Sequence, residues 1–414
     1  MAMLRGARAR RRGLPAAVAA AVLAGGWLMP VHARADAVRD GQRPILALLG
    51  METAWKVTKG DGVTVGVVDT GVDPTQPDLR GKVTVGPNML AGIDAGTAPA
   101  RLHGTAMSTL IAGRGHGPGG RSGVLGMAPR ARILAVRAIG EEEDASYRRF
   151  RTSSRAQGSV ARGIRYAADH GADVINLSLG SPDENPAERE AIGYALGKGV
   201  VVVSAVGNDG DEERLLDGDG FAPYFYPASY PGVIAVAATA PGHTRAPFSN
   251  RNYSVLLSAP GANLPVGVPG GRYFSSNGTS DASAIVAGIA ALIRAKHPRM
   301  APALVAQALV QSTRHGPSGG YDPEVGFGEV HAARALSAAD SLASASPGPA
   351  QAKPAGQRFG KADPGPVGVI ERPFWVRPLI IVIVLLGLGG TAGGLALAVA
   401  FRRRHPGRPP ATPS

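Results

Sequence analysis

Val63-Thr64-Val65-Gly66-Val67-Val68-Asp69-Thr70-Gly71 decides the fold class. A strand with one wet face alternates polar and apolar residues, whereas a strand covered on both faces need not. The run from Val63 to Val68 therefore reads as a buried parallel strand, closed by a turn-like Asp-Thr-Gly. Similar apolar runs recur at residues 133–139, 174–179, 200–206 and 233–238. Helical segments lie between them. Val160, Ile164 and Ala168 share one face, and Asn185-Pro186 supplies an N-cap followed by proline at the first helical position, with Gly199 closing that helix. Another helix is predicted around residues 46–56. Strands alternating with helices predict an α/β fold, a doubly wound, mainly parallel sheet with helices on both faces. Ligands of such sheets sit beyond the carboxyl ends of the strands. Asp69 ends the first strand, and Asn208 follows the run at 200–206.

Working outward, Gly278-Thr279-Ser280-Asp281-Ala282-Ser283-Ala284-Ile285-Val286-Ala287-Gly288 sets a glycine-flanked serine at the start of a small-residue helix. Backbone N–H groups there face a reacting carbonyl. His103-Gly104-Thr105 lies between this string and Asp69. Serine is a weak nucleophile until a base takes its proton, a part open to His103. Asp69 would hold the imidazole tautomer and stabilise the imidazolium. Val206-Gly207-Asn208-Asp209 offers a side-chain amide to join the Ser280 N–H as an oxyanion donor. Singly, each residue has a structural alternative: Asp69 and Asn208 as turn formers, His103 as a cap neighbour, Ser280 as a helix cap. Jointly, the chain order Asp, His, Ser is one of the known orders of a catalytic triad.

These motifs resemble the subtilases, the subtilisin-like serine peptidases of family S8. The resemblance runs from about Ala54 to Leu336 and includes residues 65–73, His103-Gly104-Thr105, residues 176–180, residues 205–208, residues 278–288 and Gly326-Phe327-Gly328-Glu329-Val330. It implies a serine-type endopeptidase with Asp69, His103 and Ser280 as the triad and Asn208 at the oxyanion position. It also implies that Ser178, Leu179 and Gly180 form a strand that pairs with substrate backbone, and that Tyr226-Pro227 is a cis bond. Two letters depart from the family pattern: Ala284 stands where proline is usual, and Asp281 puts an acid beside the nucleophile.

The ends of the chain add targeting. Arg5, Arg8, Arg10, Arg11 and Arg12, an apolar stretch over 14–29 and Ala33-Arg34-Ala35 have the layout of a secretory signal over 1–35, with an uncleaved anchor or an Ala-rich helix as the alternative. Residues 36–342 then form the peptidase domain with a short N-terminal extension, and 343–373 a Pro/Gly/Ala-rich linker. Residues 374–401 are predicted as a transmembrane helix, and the arginines of the 402–414 tail predict a cytoplasmic C-terminus. This plan resembles the mycosins, the membrane-anchored subtilases of type VII secretion. That resemblance implies a cell-membrane protein, single-pass with its catalytic domain extracytoplasmic, which cleaves secreted protein substrates and associates with the secretion membrane complex. The alternative implied is a scaffolding component of that complex, with peptidase activity secondary. The N-terminal extension resembles the mycosin type, which packs on the catalytic domain.

The net charge of +13 is not a nucleic-acid signal, because six Arg in 1–35 and four in 402–414, with no acid in either, account for ten of it. The chain has no cysteine, which excludes disulfides, a thiol nucleophile and thiolate metal ligands. No carboxylate cluster has metal-ligand spacing. The resemblance leaves structural calcium open without a location, and no other cofactor is expected. Glu141-Glu142-Glu143-Asp144 reads as an exposed charged loop, and His116, in a glycine-rich stretch, as a surface histidine.

Overall fold

The computed structural model describes residues 35–344, together with scattered positions between 378 and 397. They fall in two compact units, Met1–Ser346 and Pro347–Ser414. In the first, the chain runs through α1 (Ala35–Leu48), α2 (Met51–Val57), β1 (Thr64–Asp69), β2 (Val83–Asn88), α3 (Leu102–Ala112), a small hairpin of β3 (Arg114–His116) and β4 (Ser122–Leu125), and β5 (Arg132–Arg137). It continues through α4 (Tyr147–Thr152), α5 (Ser159–Asp169), β6 (Val174–Leu177), α6 (Pro186–Gly197), β7 (Val201–Ala205), β8 (Ile234–Thr239) and β9 (Leu257–Pro260). A second hairpin, β10 (Leu264–Val268) and β11 (Arg272–Ser276), leads into α7 (Thr279–Lys296), α8 (Pro302–Ser312) and α9 (Ala332–Ser344).

Seven strands form one sheet in the order β2-β5-β1-β6-β7-β8-β9, every pairing parallel. The order reverses at β1, so the expected doubly wound sheet is present. Alternate side chains of the strands enter two different cores. Val65, Val67, Val201 and Val203 pack with Leu110 and Ile111 of α3 and with the aliphatic length of α7. Val68, Val136, Ile175, Leu177 and Val202 pack with Ile164 of α5 and Ile192 of α6 on the opposite face. Val160, Ile164 and Ala168 are all buried, as the helical spacing predicts. Asn185 caps α6 by accepting the Ala187 N–H at 3.0 Å, a contribution of about 1 kcal/mol.

Several expectations need correction. The single helix over 46–56 is two, α1 and α2, divided at Gly50, whose φ of 66° suits glycine. Glu141 and Asp144 are buried, so that loop is not a solvated insertion. His116 is not a free surface histidine, because its Nδ1 lies 2.7 Å from Asp78 Oδ1 and its ring stacks on Tyr273. The Tyr226-Pro227 bond is cis, as the resemblance implies. The N-terminal extension lies on the domain: Gln42 exchanges hydrogen bonds with the Leu125 backbone, and Trp55 donates to the Met127 carbonyl at 2.8 Å.

In the second unit the described positions between 378 and 397 are helical and exposed. Among the described residues no helix is long and apolar enough to cross a membrane. The expected signal at 1–35, the linker at 343–373 and the tail at 402–414 lie outside the described residues almost entirely.

Candidate active site

Asp69 is the last residue of β1, wholly buried at the carboxyl edge of the sheet. Its Oδ1 meets His103 Nδ1 at 2.8 Å and accepts the Thr70 N–H at 2.7 Å, while its Oδ2 is buried without a hydrogen-bond partner. His103 stands in the first turn of α3. Close approach of that helix to the strand end depends on Gly104, since a Cβ there would collide with the Gly71 carbonyl. Burial alone would lower the imidazole pKa. The Asp69 carboxylate, aided by Glu141 and Asp281, more than reverses this and lifts it to about 9.

Ser280 is the second residue of α7 and 9% exposed. Its hydroxyl donates to the Ser178 carbonyl at 3.3 Å, not to His103. The Ser178 hydroxyl lies 2.9 Å from the Ser280 carbonyl, and is itself supported by Asn176 and Ser283. Asn208 accepts both the Thr279 N–H at 2.8 Å and the Thr279 hydroxyl at 2.9 Å through Oδ1. The carbonyl end of that amide is thus occupied, and its NH₂ is the end available to a ligand.

Ser280, His103, Asn208, Ser178, Leu179 and Gly180 line one open cleft. Residues 178–180 lie past the end of β6 rather than forming a strand of their own, and the chain is next tied by the Ser181–Tyr226 bridge. Asp281, which the sequence marks as unusual, also lines the cleft. Burial pushes its carboxyl up to about 7, although the Ser276 hydroxyl, donating at 2.8 Å, and His103 pull the other way. The lining also includes Glu141, Glu142 and Glu143. None of these three emerges from the sequence as a site residue, because a run of four acids has the composition of a solvated loop. Among the described residues no group of three or more His, Cys, Asp or Glu is arranged to hold a metal ion. Two buried acids behind the site are engaged by a cation, since Asp94 and Asp144 both pair with Arg137. They do not fit the oxygen-rich cage that calcium needs.

A parallel sheet that reverses at its first strand, with an Asp–His pair and a helix-borne serine at its carboxyl edge, defines the class of the protein. Residues 60–328 match the subtilase family, Peptidase S8, and the chain belongs to that family. It is 42% identical over 243 residues to a thermophilic serine proteinase of Bacillus sp. (strain AK1), covering 58% of this chain and 54% of that one. It is 37% identical over 240 residues to thermitase of Thermoactinomyces vulgaris, covering 58% and 77%. The chain thus spans about half the length of the Bacillus relative. Similar solved structures include MycP1 from the ESX-1 type VII secretion system, with TM-score 0.60, 29% identity and 77% and 89% of the two chains covered. They also include the MycP3 protease of the type VII (ESX-3) secretion system, with TM-score 0.56, 28% identity and 71% and 87% covered.

Proposed function

We propose that the protein is a serine endopeptidase in which Ser280 attacks a peptide carbonyl, His103 takes the serine proton, and Asp69 holds the imidazole. The observation that carries this reading is the 2.8 Å Asp69–His103 hydrogen bond beside a cleft that Ser280 and Asn208 share. In the reaction, the Ser280 hydroxyl turns from the Ser178 carbonyl to His103 and adds to the substrate carbonyl. The Ser280 N–H and the Asn208 NH₂ receive the oxyanion. His103 then hands its proton to the leaving amine, and water repeats the sequence on the acyl-enzyme. Residues 178–180 take the substrate backbone as an added strand.

The protein acts on secreted proteins from the outer face of a membrane, held by residues 374–401, after export directed by residues 1–35. Support for anchoring is the exposed apolar surface of the second unit, with Leu379, Ile381, Ile383, Val384, Leu395 and Leu397 all open. The arginine-rich tail supports a cytoplasmic C-terminus. Similarity to MycP1 and MycP3 supports association with a type VII secretion complex.

A fluorophosphonate probe tests the chemistry. It should label the wild-type protein and leave Ser280→Ala unlabelled; labelling that persists in the variant overturns the assignment. Comparing secreted proteins from wild-type and Ser280→Ala strains tests the role. Identical profiles would instead favour a scaffold in the secretion complex.

A further inference from the structure

The helix that carries His103 begins without a cap of its own. Its N-cap residue, Arg101, sits in the left-handed region at φ 59° and its side chain makes no capping bond. Yet the first N–H groups of a helix need acceptors. They find one 38 or more residues along the chain: Glu141 Oε1 accepts the Leu102 N–H at 2.7 Å, and Glu141 Oε2 accepts the His103 N–H at 2.9 Å. Both oxygens of a side chain only 3% exposed are thus spent on the turn that bears the imidazole. A carboxylate at a helix N-terminus also meets the positive end of the helix dipole.

Glu141 is itself held. Its N–H donates to Asp144 Oδ2 at 3.0 Å, and Asp144 Oδ1 accepts the Ala100 N–H at 2.8 Å. Arg137 joins Asp144 at 2.8 Å, grips Asp94 through two bonds of 2.7 and 3.0 Å, and donates to the Thr70 carbonyl at 2.7 Å. Thr70 follows Asp69 directly. One buried polar network therefore grips both the strand end carrying Asp69 and the helix start carrying His103.

We propose that Glu141 is a positioning residue for the reaction: by accepting the Leu102 and His103 N–H groups, its carboxylate fixes the His103 imidazole against Asp69. This rests on the serine-peptidase reading above. The charged groups facing Glu141 are His103 and Asp144, and those facing His103 are Asp69, Glu141 and Asp281. Burial pushes the Glu141 carboxyl up to about 7, and its negative charge favours the imidazolium.

The test is kcat and KM on fluorescein-labelled casein for wild type, Glu141→Gln and Glu141→Asp, each normalised to the sites titrated by a fluorophosphonate. Glutamine keeps the shape but leaves one acceptor and no charge. Glu141→Gln should lower kcat per titrated site by about ten- to hundredfold, the scale on which a small misplacement of a catalytic group acts, with KM little changed. Its acid limb should move to lower pH, because a charge favouring the imidazolium is gone. Glu141→Asp keeps the charge with a shorter reach. It should lower kcat while the limb stays in place, and it decides the matter if the glutamine variant does not fold. Unchanged kcat per titrated site in the variants, or a limb that does not move in Glu141→Gln, overturns the positioning role. A wild-type protein that fails to label overturns the peptidase reading itself and this inference with it.

Discussion

Ser178 and Ser280 hold each other across the cleft: the Ser178 hydroxyl lies 2.9 Å from the Ser280 carbonyl, and the Ser280 hydroxyl lies 3.3 Å from the Ser178 carbonyl. The first distance is that of a firm bond, whereas the second is long for a hydroxyl donor. The backbone of Ser280 is therefore pinned while its hydroxyl is loosely parked. Ser178→Ala removes the pin. A net loss of about 1 kcal/mol, roughly a fivefold fall in kcat, is expected, with KM nearly unchanged in steady-state assays.

Asn208 owes its orientation to Thr279, which occupies the amide oxygen from both its backbone and its hydroxyl. Asn208→Ala should lower kcat by about 10²–10³ with little effect on KM, the scale for one oxyanion donor. Thr279→Val leaves the backbone donor and should cost less. Rates of fluorophosphonate labelling should fall in the same order.

Protonation sets the working range. Only neutral His103 accepts a proton, and its pKa of about 9 means that kcat/KM of the free enzyme should rise about tenfold per pH unit up to that point. Asp281→Asn removes a carboxylate that favours the imidazolium, so the limb should move to lower pH. The same change affects stability with a definite sign. The folded state raises the Asp281 pKa to about 7. The folded state thus binds the proton more tightly, and stability is lost as pH rises from the ordinary carboxylate range through 7. Asp281→Asn should therefore stabilise the protein above pH 7 by about 1–3 kcal/mol and make little difference near pH 4. Urea unfolding at the two pH values checks this.

Arg137 is the sole cation paired with two buried carboxylates among the described ion pairs, those of Asp94 and Asp144. Arg137→Met leaves both uncompensated, and a loss of about 3–5 kcal/mol is expected in denaturant unfolding. A midpoint unchanged from wild type would mean that the acids find other partners or take up protons at little cost.

Much of this was legible in the residues. The runs at 133–139, 174–179, 200–206 and 233–238 predict β5, β6, β7 and β8 within a residue or two, because side chains buried on both faces leave uninterrupted apolar strings. Asp69, His103, Asn208 and Ser280 stood out because each sits at a strand end or helix start beside glycine or threonine. β2 escaped notice as an edge strand, partly exposed and holding Gly86 and Pro87, without an apolar string. Glu141 escaped for a different reason. Composition marks an acid as a surface residue, and only the tertiary placement of two N–H donors makes its burial tolerable. His116 was misread in the same way, since Asp78 and Tyr273 reach it from distant parts of the chain.

α7 is buried along all but the end of its length, from Thr279 to Arg294, and lies against strands β6 to β9. A helix so enclosed offers little local opening along its interior, so the amides beyond its first turn should exchange with solvent only when the whole domain comes apart. Ser280, the nucleophile proposed above, is thus tied to the most persistent part of the molecule. Heat or denaturant should extinguish activity and global structure together, with no prior stage in which an intact fold carries a displaced serine.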